Sequence, residues 1–100
     1  MTANLHTCPC CGYKTLNERN SWEICTICKW EDDELQFLEP DLGGRANDES
    51  LREAQKNFKA IGICSKNLIH WKNNTDINYE KDKHFKPLDQ GRIIGLETDN

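Results

Sequence analysis

Two short cysteine pairs carry the chemistry available to this chain. Cys8 and Cys11 fall in Cys8-Pro9-Cys10-Cys11-Gly12, and Cys25 and Cys28 in Cys25-Thr26-Ile27-Cys28, with thirteen residues between the pairs. Thiolates in two C-x-x-C pairs at this distance are the donor set of a tetrahedral zinc site. Four sulfurs close the coordination shell and leave no position for water or substrate, so such an ion holds the chain together and does not catalyse. Iron in a rubredoxin-like site is chemically possible with the same ligands, because tetrahedral sulfur suits both metals. The expected metal ligands are Cys8, Cys11, Cys25 and Cys28, and the expected cofactor is a structural Zn2+. Cys10 sits between two of them. Adjacent Cys10 and Cys11 cannot easily share one ion while the turn stays regular, and pairing Cys8 with Cys11 reproduces the two-residue gap of Cys25 and Cys28. Cys10 is then a spare thiol, a group supporting the ligands, or a reactive nucleophile, depending on its pKa.

No second constellation competes with this one. A C-x-x-C dithiol switch wants a helix N-terminus in a βαβ setting, and neither pair has that pattern around it. His6, His70 and His84 are scattered, with no pair at ligand spacing. No Ser-His-Asp or Cys-His arrangement can be defended from spacing, since triads assemble in space. There is no glycine-rich phosphate loop; Gly43-Gly44 is a turn. An enzyme is not expected.

The elements that must position the cysteines are small. One hundred residues make one domain, residues 1–100, and 36% hydrophobic against 30% charged residues leaves a thin core. A structural metal is a usual staple for such a core. Residues 1–7 show no charged region followed by an apolar run, so no secretory signal is expected, and no apolar stretch approaches the length of a membrane span. These features place the chain in a reducing cytoplasm, where paired cysteines bind metal or do redox chemistry and disulfides are rare.

The net charge of −4 is unevenly spread: residues 31–49 carry eight acidic side chains and one basic, residues 50–86 eight basic and four acidic. The acidic block directly follows the second cysteine pair, so that face is not expected on nucleic-acid phosphates. It is instead the first candidate surface for a basic protein partner. The basic second half keeps nucleic-acid binding as an alternative.

Residues 8–30 form the metal module. An aromatic residue stands two positions after each pair, in Cys11-Gly12-Tyr13 and Cys28-Lys29-Trp30, which suggests two similar turns facing one another across a shared ion. Gly12 suits a turn needing positive φ, and Pro9 stiffens it. Residues 14–16 and 22–24 predict two short strands joined by a turn over 17–21. Trp22 and Trp30 are expected to cover the turns, and Trp71 to be exposed. Residues 31–49 are an acidic, glycine-containing loop. Glu31, Asp32, Asp33 and Glu34 predict a solvated helix start, with Leu35, Phe37 and Leu38 supplying apolar contacts. Ser50, with Glu53 three residues on, predicts an N-cap and a helix over about 50–62. Leu51, Ala54, Phe58 and Ile61 form its stripe, and Gly62 its stop. In the tail, residues 65–100, Leu68-Ile69-His70-Trp71 predicts order and Asn73-Asn74-Thr75-Asp76 a loop. Tyr79, Phe85, Pro87 and Leu88 could pin an extended segment across the domain, and Ile93-Ile94-Gly95-Leu96 suggests a late strand. The expected fold class is small α+β: a zinc-ribbon or rubredoxin-like knuckle pair, then one amphipathic helix and an extended tail.

Several strings together resemble the bacterial cysteine-rich CPCC family: Cys8-Pro9-Cys10-Cys11-Gly12-Tyr13, Trp22-Glu23-Ile24-Cys25 and Cys28-x-Trp30-Glu31-Asp32-Asp33. The resemblance continues through Gly43-Gly44-x-Ala46-Asn47 and Ser50-Leu51-x-x-Ala54-x-x-Asn57-Phe58, and so covers roughly residues 7–64. Phe85-Lys86-Pro87-Leu88 is similar to the family's ending. The resemblance implies a small bacterial protein with a zinc-ribbon-like start and no established activity, and by analogy with small families found near toxin genes an immunity-type binding role. The function expected from all of this is a zinc-stabilised protein-binding module without catalysis. The alternatives are a thiol-redox or metal-responsive protein using Cys10, and a nucleic-acid-binding zinc ribbon.

Overall fold

A computed structural model describes residues 4–72 and 78–88. Its elements are strand β1 (His6–Thr7), strand β2 (Lys14–Leu16), helix α1 (Glu34–Leu38), helix α2 (Leu51–Ile61) and a 3-10 helix over Lys66–Trp71. The strands pair antiparallel, His6 with Leu16 and Thr7 with Lys14, so Thr15 is the extra residue of a bulge. In an unbroken pleat successive side chains point to opposite faces. The bulge re-aims one of them, and Thr15 and Leu16 are both buried.

The strand over residues 14–16 forms where expected, but its partner is residues 6–7 and not 22–24. Each cysteine turn closes on its own flanks: Cys8 N–H donates to the Tyr13 carbonyl at 2.8 Å and Cys25 N–H to the Trp30 carbonyl at 2.8 Å. Residues 22–24 therefore lie beside 31–32, with Ile24 bridged to Glu31, Trp22 N–H on the Asp32 carbonyl at 3.3 Å and Asp32 N–H on the Glu23 carbonyl at 2.9 Å. Trp22 itself has φ +67, which no regular strand accommodates.

Helix α2 follows its sequence signals. Ser50 Oγ accepts from Glu53 N–H at 3.1 Å, which satisfies one of the free donors of the first turn, and Gly62 closes the helix at φ +80. Leu51 and Ala54 are buried in the core, and Phe58 packs at its edge. The core is correspondingly small. Among the described residues Trp30, Leu16, Leu51 and Ile63 are its large fully buried apolar side chains, together with cysteines.

Helix α1 inverts the expected pattern. Leu35, Phe37 and Leu38 are exposed, and the side chain it buries is Gln36. Gln36 Nε2 donates to the carbonyls of Leu42, Asn47 and Glu49 at 2.9, 3.2 and 3.0 Å, and Oε1 accepts from Asn47 N–H and Nδ2 at 3.2 and 2.9 Å. The acidic start of α1 is likewise not solvated, because Asp32 and Asp33 are completely buried. Asp33 Oδ1 caps α1 through Leu35 and Gln36 N–H at 2.9 and 3.3 Å, and Oδ2 receives Arg45 Nε at 3.1 Å and Ala46 N–H at 3.3 Å. Burial raises the Asp33 pKa, but the Ala46 and Gln36 N–H groups and the Arg45 guanidinium outweigh it and hold it below the ordinary 3.8. Asp32 Oδ2 accepts Asn20 N–H at 2.6 Å and lies 4.0 Å from Arg19 Nε.

Within the tail, residues 78–88 pack as a strap on the first cysteine turn. Lys14 N–H donates to the Glu80 carbonyl at 2.8 Å and Asp82 N–H to the Gly12 carbonyl at 2.9 Å. Thr7 Oγ1 donates to Asp82 Oδ2 at 2.7 Å, and Leu88 N–H to Gln55 Oε1 at 2.8 Å. Phe85 is the pin: a Cβ added to Gly12 would stand 2.5 Å from its ring. Tyr79 is exposed and Pro87 is not buried. The loop expected at residues 73–76 and the late strand at 93–96 lie outside the described residues.

Candidate metal centre

The two cysteine turns are near copies. Gly12 N–H donates to the Cys8 carbonyl and Lys29 N–H to the Cys25 carbonyl, both at 2.9 Å. The donor residue has φ +83 in the first turn and +72 in the second. Glycine adopts that region without cost, while a side-chain-bearing residue loses roughly 1–2 kcal/mol. The Lys29→Gly variant is therefore expected to gain about 1 kcal/mol of stability, read as a higher denaturant midpoint with unchanged m-value. The exposed contact of Lys29 Nζ with the Thr26 carbonyl at 3.1 Å offsets little of this. A lower midpoint would show that Lys29 does more than close the turn.

Between the turns, the Sγ atoms of Cys8, Cys11, Cys25 and Cys28 all lie within 4.8 Å of one another and all four residues are buried. Cys8 Sγ is 3.6 Å from Cys28 Sγ, and Cys11 Sγ is 3.7 Å from Cys25 Sγ. Four sulfurs at about 2.3 Å from a central ion form a tetrahedron with edges of about 3.8 Å, so this donor set fits one metal ion. Both of these sulfur pairs link different turns, so an ion there would join residues 8–11 to residues 25–28. No described cysteine forms a disulfide.

Cys25 is the best-supported sulfur. It accepts Ile27 N–H at 3.3 Å, Cys28 N–H at 3.5 Å and the Thr15 hydroxyl at 3.1 Å. Donors to sulfur stabilise the thiolate. Hydrogen bonds from Cys11, Cys28 and Cys8 hold the Cys25 thiol far below its ordinary pKa despite burial. Burial pushes Cys8 and Cys28 well above theirs. Burial thus favours the protonated forms of Cys8 and Cys28 in this arrangement, and a metal bound by their thiolates must displace those protons. Affinity for zinc is expected to rise with pH, these two thiols alone contributing about two decades per pH unit. Competition titrations against a chelator between mildly acid and neutral pH check this, and a flat profile would refute it.

Thr15 could not have been singled out from sequence; the bulge between β1 and β2 brings its hydroxyl to Cys25. The remaining cysteines join the same interior. Cys10 is 2% exposed and Cys64 1%. Cys64 N–H donates to the Cys28 carbonyl at 2.9 Å, and burial, with Cys10 and Glu49 nearby, pushes its thiol up to about 12. Trp30 is buried as expected, Trp22 is exposed instead of covering a turn, and Trp71 is exposed as expected. His6, His70 and His84 are exposed and outside the cluster. Among the described residues no helix is long and apolar enough to cross a membrane.

The fold and site define a small protein with a two-stranded antiparallel sheet, a few helices and a four-cysteine cluster that could hold a metal ion. The family described as Cysteine-rich CPCC matches residues 6–78, and the chain belongs to that family. No curated protein matches the chain.

Proposed function

We propose that this protein is a zinc-stabilised protein-binding module of a reducing cytosol, with no catalysis of its own. Cys8, Cys11, Cys25 and Cys28 would hold one Zn2+ between two zinc-ribbon-like turns. The observation that carries this reading is the fit of four buried sulfurs, with cross-turn separations of 3.6 and 3.7 Å, to the edge of a tetrathiolate tetrahedron. Six free thiols suit a reducing compartment. Exposed tryptophan, phenylalanine and leucine side chains support a binding role, since large aromatic residues anchor interfaces. The redox alternative asks an oxidant to reach Cys10 first, and the burial of that sulfur weighs against it.

Native mass spectrometry of protein from zinc-supplemented and iron-supplemented cells tests the metal. One zinc retained from both media is the expected result. Iron, or an apo protein of unchanged fold, would overturn the reading.

A further inference from the structure

Five apolar side chains near the second cysteine turn take no part in the metal cluster. Trp22 is 51% exposed, Ile24 55% and Leu38 64%, and Leu35 and Phe37 are exposed as well. They are neighbours through the backbone. Residues 22–24 run beside residues 31–32, α1 begins two residues later, and Arg19 lies over the Phe37 ring at 5.1 Å. The equivalent flank of the first turn is covered by the strap through Glu80 and Phe85. On the second turn the post-cysteine strand is held differently: Asn47 Oδ1 accepts Glu31 N–H at 2.9 Å and Asn47 Nδ2 donates to the Glu31 carbonyl at 2.8 Å. Among the described residues no comparable strap covers α1.

Within residues 31–49 the charge is one-sided, and Arg19, over the Phe37 ring and 4.0 Å from the buried Asp32 carboxylate, brings one cation to this face. Residues 31–49 hold eight acidic side chains and one basic, Arg45, which is committed to Asp33. Asp32 and Asp33 are buried, so the exposed acids beside the apolar side chains are Glu34 and Glu39, at the two ends of α1. We infer that Trp22, Leu35, Phe37 and Leu38, rimmed by Glu34 and Glu39, form a docking face for a cationic amphipathic helix of a partner protein. The proposal rests on the protein-binding reading above and names its surface and partner chemistry. A helix is favoured over an added strand because Trp22 at φ +67 breaks the extended edge that strand addition needs. Apolar side chains would supply the buried area and the acidic rim would select lysine and arginine flanks.

The test titrates two helical peptides into the zinc-loaded full chain. Both carry one leucine stripe; one has lysine and the other glutamate at the remaining positions. The three tryptophan indole N–H signals report the location. The cationic peptide should bind at least about tenfold more tightly than the anionic one, moving the Trp22 signal and not that of Trp71. Leu38→Asp, at an exposed position, should abolish the shift. Glu34→Gln with Glu39→Gln should remove most of the charge preference while leaving the apolar contact. Equal binding of the two peptides at Trp22 would overturn the cationic partner and leave the protein-binding reading standing. Binding centred on Trp71, or no binding by either peptide, would overturn the assignment of this face. Concentration-dependent self-association abolished by Leu38→Asp would assign the face to a second copy of the chain and also overturn the proposal. Zinc content measured in the same samples keeps failure of the metal module distinct from each of these.

Discussion

Removing the metal from the zinc-loaded protein is expected to unfold it, with loss of the near-UV tryptophan signal and of amide protection at Cys25 and Cys64, whose N–H groups bond the Trp30 and Cys28 carbonyls. The reason lies in what the cysteines replace. Among the described residues the fully buried side chains include four cysteines of the cluster and Cys64, against only Trp30, Leu16, Leu51 and Ile63 among large apolar residues. Structural zinc sites contribute about 10–16 kcal/mol near neutral pH, as much as the whole stability of an ordinary domain, about 5–15 kcal/mol. Without the ion, four thiols crowd within 4.8 Å in an interior that disfavours their charge. Cys25→Ser should reproduce the loss on its own, since it removes the sulfur that accepts the Thr15 hydroxyl and two backbone N–H groups. Cys10→Ser should keep the metal and lose about 1–3 kcal/mol through burial of a hydroxyl. A Cys10→Ser protein that loses zinc while Cys11→Ser retains it would overturn the ligand assignment.

The second large effect lies away from the metal. Gln36→Leu is expected to destabilise the protein by about 3–5 kcal/mol, although leucine is apolar, helix-favouring and similar in size. Gln36 makes five hydrogen bonds, three from Nε2 and two to Oε1, and all reach residues 42–49. Removing the amide leaves buried carbonyls and N–H groups of that loop without partners, and each such group costs about 1–3 kcal/mol. Asn47 would lose its anchor and with it the grip on both backbone groups of Glu31, the residue after Trp30. Urea unfolding of the zinc-loaded variant measures the effect. A loss below about 1 kcal/mol would mean that residues 42–49 find other partners or water.

Both predictions depend on a division between what is local and what is not. The Cys8/Cys11 and Cys25/Cys28 pairing was legible because two turns of the same spacing, each followed by an aromatic residue, repeat one local geometry. Helix α2 was legible for the same kind of reason: a cap at Ser50, a stripe and Gly62 are short-range signals. The misassigned strand pairing and the inverted α1 share a different cause. Whether residues 14–16 pair with 6–7 or with 22–24 depends on how each cysteine turn closes, and residues 22–24 looked extended by composition while Trp22 takes a positive φ. Leu35, Phe37 and Leu38 looked like core by hydrophobicity. The position facing inward is Gln36, because residues 42–49 fold back and present carbonyls that its amide satisfies.

The four-cysteine cluster, its two-turn frame and the helix that follows could be read along the chain, because each is written in residues a few positions apart. Only the tertiary structure decided which side chains support that cluster and which are left to solvent. Thr15 reaches Cys25 through a bulge, Phe85 reaches Gly12 across seventy-odd residues of chain, and Asp32 and Asp33 sink into the interior because backbone N–H groups and arginines converge on them. Hydrogen-bond satisfaction of buried polar groups is a property of the assembled chain, and no spacing rule along the sequence contains it.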